Sequence, residues 1–89
     1  MKKIKLESGF ECEISENVMD NMELVEDCAE LQETGNPVLL SKVLTTLIGP
    51  EQRKKLYDHL RTEDGRVPVA AASNAFAELV KAFKAGKNS

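Results

Sequence analysis

With 89 residues and a formal net charge of −3, the chain holds one hydrophobic core at most and lacks the basic surplus that phosphate contacts demand. Hydrophobic residues make up 42% of it, but aromatics only 4%, and tryptophan is missing, so the core has to be aliphatic. No stretch approaches the ~20 apolar residues of a membrane span, and Met1-Lys2-Lys3 leads into a short strand-like run rather than an apolar leader. With Cys12 and Cys28 far apart, the expectation is a cytosolic protein with reduced thiols.

The pattern predicts a single α+β domain, mainly α, over residues 1–86, with a flexible tail at 87–89. Lys3-Ile4-Lys5-Leu6 and Phe10-Glu11-Cys12-Glu13-Ile14 alternate polar and apolar residues around Glu7-Ser8-Gly9. That is a β-hairpin over 2–14, with Ile4, Leu6, Phe10, Cys12 and Ile14 on one face. Two strands alone are marginal, so the hairpin must lie on helices or gain a strand from a partner.

A first helix is expected over about 20–33. Asp20 is its N-cap, Glu23 closes a capping box, and Leu24, Val25, Cys28 and Leu31 form its buried stripe. Thr34-Gly35-Asn36 and Pro37 make the turn into a second helix, about 37–48, whose Val38, Leu39, Leu40, Val43, Leu44, Leu47 and Ile48 place it at the centre of the core. Gly49 fits a helix end and Pro50 the first turn of a third helix, about 50–62, buried through Leu56 and Leu60 beside Tyr57. Asp64-Gly65 turns the chain, and Pro68 opens the way to a fourth helix, about 69–84. There Val69, Ala72, Phe76, Leu79, Val80 and Phe83 form one stripe, and alanines fill much of the rest. Small residues on several sides mean that this helix either sits between other elements or offers a second face to a partner. Phe76, Val80 and Phe83 are the candidate partner-binding residues, and a free hairpin edge is a second docking surface, by strand addition.

Signs of catalysis are weak. His59 is the sole histidine, and its sequence neighbour Asp58 points about 100° away on a helix. One histidine and two distant cysteines do not meet the spacing of a structural zinc site. Glu23, Glu26, Asp27 and Glu30 read as a solvated face rather than a metal cluster, and the scattered glycines form no phosphate loop. We therefore expect no catalytic, metal-binding or cofactor-binding residue. A helix-turn-helix reading of Val38 to Leu60 would rest on Arg53, Lys54 and Lys55, but only Gln52 and Arg53 suit base edges.

The order Ser8-Gly9-Phe10-Glu11, Met22-Glu23-Leu24, Leu47-Ile48-Gly49 with Glu51-Gln52, Leu56-Tyr57-Asp58-His59-Leu60, Asp64-Gly65-Arg66-Val67-Pro68 and a Lys87-Asn88-Ser89 ending resembles the small tail assembly chaperones of long-tailed phages and prophages of Gram-positive bacteria. Each motif is a turn or cap; their order, spacing and total length carry the likeness. The resemblance implies a non-enzymatic protein of the host bacterial cytoplasm that holds the helical tape-measure protein while tail-tube subunits polymerise around it. It further implies contact with the major tail protein, weak homo-oligomers, and neither nucleic acid nor membrane as partner. The alternative is a small DNA-binding or antirepressor-type prophage regulator.

Overall fold

Strand β1 (Lys2–Lys5) and strand β2 (Glu11–Ile14) pair antiparallel, with Ile4 opposite Cys12 and Lys5 opposite Glu11. The computed structural model describes residues 1–86, so the tail expected at 87–89 lies outside the described residues. Between the strands, Leu6 N–H donates to Phe10 O at 2.8 Å and Gly9 N–H to Leu6 O at 2.9 Å, a three-residue hairpin loop. Ile4, Leu6, Phe10, Cys12 and Ile14 are all buried, as their alternation requires. The opposite face is wet, and there Lys3 faces Glu13 and Lys5 faces Glu11, so opposite charges stand directly across from each other.

Three helices follow: α1 (Met22–Thr34), α2 (Pro37–Leu60) and α3 (Val69–Gly86). Four were expected, and the difference lies at Gly49. This residue has φ 85° and ψ 158°, outside any helical region, so α2 is two arms, 37–48 and 50–60, joined at a kink. Pro50 has no N–H to continue the first arm, and its ring excludes a straight passage. The second arm stops at Leu60, short of the expected Thr62. Thr62 belongs to the next turn instead, where its N–H donates to Arg66 O at 2.7 Å. In that turn the Thr62 hydroxyl and the Arg66 guanidinium hold the Asp64 carboxyl below the ordinary carboxylate range.

The start of α1 also differs from expectation. Asn21, not Asp20, is the N-cap: its Oδ1 accepts from the N–H of Glu23 at 3.0 Å and of Leu24 at 3.4 Å. Asp20 N–H donates to Asn17 O, so that residue closes the preceding turn. At the other end, Gly35 N–H donates to Leu31 O, and Asn36 Oδ1 caps α2 by accepting from Val38 N–H at 3.0 Å. A two-residue connection thus serves both helices.

The core runs between the hairpin and the helices. Ile14, Leu24, Val43, Leu44, Leu56 and Leu79 are its fully enclosed side chains, and the first arm of α2 lies at the centre, as its composition predicts. The hairpin lies over α3 and the second arm of α2. On the α3 side, Lys2 Nζ donates to Phe83 O at 3.1 Å, and Glu7 N–H donates to Glu78 Oε2 at 2.6 Å.

On the α2 side, Gln52 takes the place of a third strand. Its Oε1 accepts from Glu13 N–H at 2.8 Å, and its Nε2 donates to Glu13 O and to Ile48 O, each at 2.7 Å. One side-chain amide thereby closes the β2 edge and satisfies a carbonyl at the helix kink. Gln52→Ala is expected to destabilise by about 1–2 kcal/mol, given roughly 0.5 kcal/mol net for each of its three exposed or partly exposed bonds. Amide hydrogen exchange should accelerate at Glu13 while the β1–β2 ladder amides stay protected. Unchanged exchange at Glu13 would show that the amide pairing has no role there.

Candidate functional site

Helices α1 and α3 both pack on α2, and between them lies an open groove of about 770 Å³. Its α1 wall is Cys28, Leu31 and Gln32. Its α3 wall is Val69, Ser73, Phe76, Ala77, Val80, Lys81 and Lys84, with Leu40 of α2 between the two walls. Met19 also lines it, set there by a turn in which Val18 N–H donates to Ser15 O.

The groove follows from two stripes on α3. Ala72, Ala75, Leu79 and Phe83 recur at helical spacing and are buried. Val69, Ser73, Phe76, Val80 and Lys84 form the adjacent stripe, at the same period, and face the groove. Alanines on the first stripe let α3 sit close to the core and leave the larger side chains of the second half out. Val69 is consequently 59% exposed, although the sequence places it with the buried residues. Val25 on α1 departs in the same way, at 51% exposed, and Leu24 is the one α1 residue that is fully buried.

The three candidate partner-binding residues divide between two places. Phe76 and Val80 are half-buried in the groove. Phe83 is buried in the seam between α3 and the hairpin, where Lys2 Nζ stands 4.7 Å from its ring centroid. What sequence reasoning missed is the opposite wall. No sequence signal marked that α1 wall; the stripe at 69, 73, 76, 80 and 84, one position round from the core stripe, was a signal for the α3 side alone.

Electrostatics differ between the two sides of the groove. Lys81 and Lys84 stand on the α3 side, and neither has an ion-pair partner among the described residues. The neighbouring α1 surface carries Val25, Cys28, Ala29 and Gln32, all uncharged. The carboxylates of α1 lie further round: Asp27 pairs with Lys42 at 3.5 Å, while Glu23, Glu26, Glu30 and Glu33 are exposed.

The remaining chemistry-bearing groups are committed elsewhere. Burial raises the Cys28 thiol, with the Asp27 charge adding to the effect, and burial raises Cys12 to about 11. The protonated thiol is the slower nucleophile, so neither is an activated cysteine; Cys28, only half-buried, stays accessible to a small reagent while Cys12 does not. His59 Nε2 lies 3.1 Å from Ser8 O and 3.2 Å from Ser8 Oγ, while Asp58 turns to Arg61 at 3.0 Å. The pair of histidine and serine therefore has no carboxylate from Asp58 to orient it. Among the described residues no group of three or more His, Cys, Asp or Glu gathers where a metal ion would sit; Glu23, Glu26 and Glu30 are exposed, whereas Asp27, expected on the same solvated face, is turned inward to Lys42.

The second arm of α2 presents little to a base edge. Gln52 is fully used on Glu13 and Ile48, and Arg53 donates to Ser41 Oγ at 2.8 Å with its guanidinium 5.5 Å from the Tyr57 ring centroid. No helix among the described residues is long and apolar enough to cross a membrane. Compared with known proteins, the chain matches no family model, no curated protein and no solved structure.

Proposed function

We propose that this protein is a non-enzymatic binding module whose partner is a protein helix, and that it acts as a chaperone of phage tail assembly, shielding the tape-measure protein in the host cytoplasm before the tube polymerises. The observation that carries the reading is the groove between α1 and α3: open to solvent, mostly apolar, and walled by two helices. Recognition of amphipathic helices uses such grooves, with anchors at i, i+3, i+4 and i+7. Phe76 and Val80, four residues apart on one face, are the contacts we assign. The resemblance in motif order supplies the identity of the partner, and the groove supplies the mode.

Affinity capture from host cells during virion assembly tests this. The tape-measure protein, or the major tail protein, should be retained by the intact chain. Phe76→Ala with Val80→Ala should weaken retention about tenfold or more, as loss of interface anchors does. Retention of no tail protein would reject the reading. The DNA-binding regulator has less support, because Gln52 and Arg53 are held inside the fold; it would require salt-sensitive retention on DNA.

A further inference from the structure

We propose that, when no client occupies it, the groove between α1 and α3 is filled by helix α1 of a second copy of this chain. This goes beyond the chaperone reading and does not depend on it.

The first argument is chemical fit. An occupant must bring an apolar stripe to face Cys28, Leu31, Phe76 and Val80, and carboxylates to meet Lys81 and Lys84. Among the described residues, the exposed side of α1 is a surface of that kind. Met22 and Val25 on α1 are 68% and 51% exposed, and Ala29 continues their line. At 100° per residue, Glu26 and Glu33 fall directly beside that line, with Glu30 next to them. These three carboxylates have no ion-pair partner among the described residues, and the same holds for Lys81 and Lys84. Two unpaired sets of opposite charge, each flanking an uncovered apolar stripe, complement each other between copies.

Length and symmetry agree. Helix α1 has 13 residues, about 20 Å at 1.5 Å per residue, and the α3 wall from Val69 to Lys84 spans nearly the same distance. Because α1 is itself one wall of the groove, a two-fold axis beside it puts each α1 over the other copy's groove at once. The contact is then isologous and closes at two copies rather than growing into a filament. Without the two lysines, the acidic helices brought together at the axis would repel each other.

Analytical ultracentrifugation of the full chain from micromolar to millimolar concentration should show a reversible dimer. Modification of Cys28 by a small thiol reagent should slow in step with the dimer fraction, since Cys28 lines the groove whereas Cys12 is buried. Val25→Glu should weaken the dimer about tenfold or more. Lys81→Glu with Lys84→Glu should weaken it similarly, and adding Glu26→Lys with Glu33→Lys to that variant should restore association. All five positions are exposed, so an unchanged melting temperature confirms that each variant is folded. A chain that stays monomeric throughout overturns the proposal, as does a dimer indifferent to Val25→Glu and to the charge exchange. A monomeric chain that still captures a tail protein would remove the dimer and leave the chaperone reading standing.

Discussion

Leu56→Ala is expected to destabilise the protein by about 2–5 kcal/mol, the range for emptying a fully buried leucine site. Leu56 has no exposed surface, and it shares a face of the second α2 arm with Gln52 and His59, four residues before it and three after. Those two side chains touch the hairpin at Glu13 and Ser8, so Leu56 lies beneath the hairpin between them. Its removal opens a cavity under two strands that cannot hold their shape alone. A domain of this size has on the order of 5–10 kcal/mol in total, and each kcal/mol is about 4–8 °C of melting temperature. The midpoint should fall by more than about 10 °C. Val25→Ala, on an exposed position of α1, should change stability by less than about 0.5 kcal/mol. Comparable losses from the two variants would mean that the hairpin is not seated on this arm.

Gly49→Ala is the second large effect, and its origin is different. The φ of 85° and ψ of 158° at this residue lie in a region open to glycine alone, where an L side chain costs about 1–3 kcal/mol. Apart from its own chain neighbours and the adjoining helix backbone, no heavy atom lies within 4 Å of where a Cβ would stand, so the cost is torsional rather than a clash with the rest of the fold. Escape into a straight helix is closed, because Pro50 would meet the carbonyl of Thr46. Thermal denaturation should therefore show nearly equal losses for Gly49→Ala and Gly49→Ser, despite their different sizes. A D-alanine placed there by chemical synthesis should keep the stability, since positive φ suits its handedness. If D-alanine loses as much as L-alanine, strain at the kink is not the cause.

How much of this was legible in the sequence depended on whether local chemistry decided it. The hairpin followed from strict alternation at Ile4, Leu6, Phe10, Cys12 and Ile14, and all five are buried. The break at Gly49-Pro50 was equally plain, because both residues act on their own backbone. The N-cap was misplaced by one residue because Asp20 and Asn21 are both good caps, and the choice fell to a turn in which Asp20 N–H is used by Asn17. The exposure of Val25 and Val69 was not legible, since a valine at helical spacing looks the same whether its neighbour is a core or an open groove. The candidate site was legible in part: Phe76 and Val80 were singled out on α3, but in one stripe with Ala72, Leu79 and Phe83, and the division into a buried and a groove-facing stripe was not read. The α1 wall is a tertiary fact, and Phe83 went to the hairpin seam because Lys2, 81 residues away in sequence, covers it.

The joining of Lys2 to Phe83 fixes when the molecule can fold. The hairpin leaves the ribosome before the helices, yet its floor is completed by α3, the last described element. At about 5–20 residues per second, the interval from Ile14 to Phe83 lasts roughly 3–15 s. Through that interval a nascent chain carries Ile4, Leu6, Phe10, Cys12 and Ile14 without their full cover, because the second arm of α2 supplies only one side of the floor. The charges of the other face do not close that gap: the lysines of β1 and the glutamates of β2 would attract the complementary strand of a second growing chain as readily as their own.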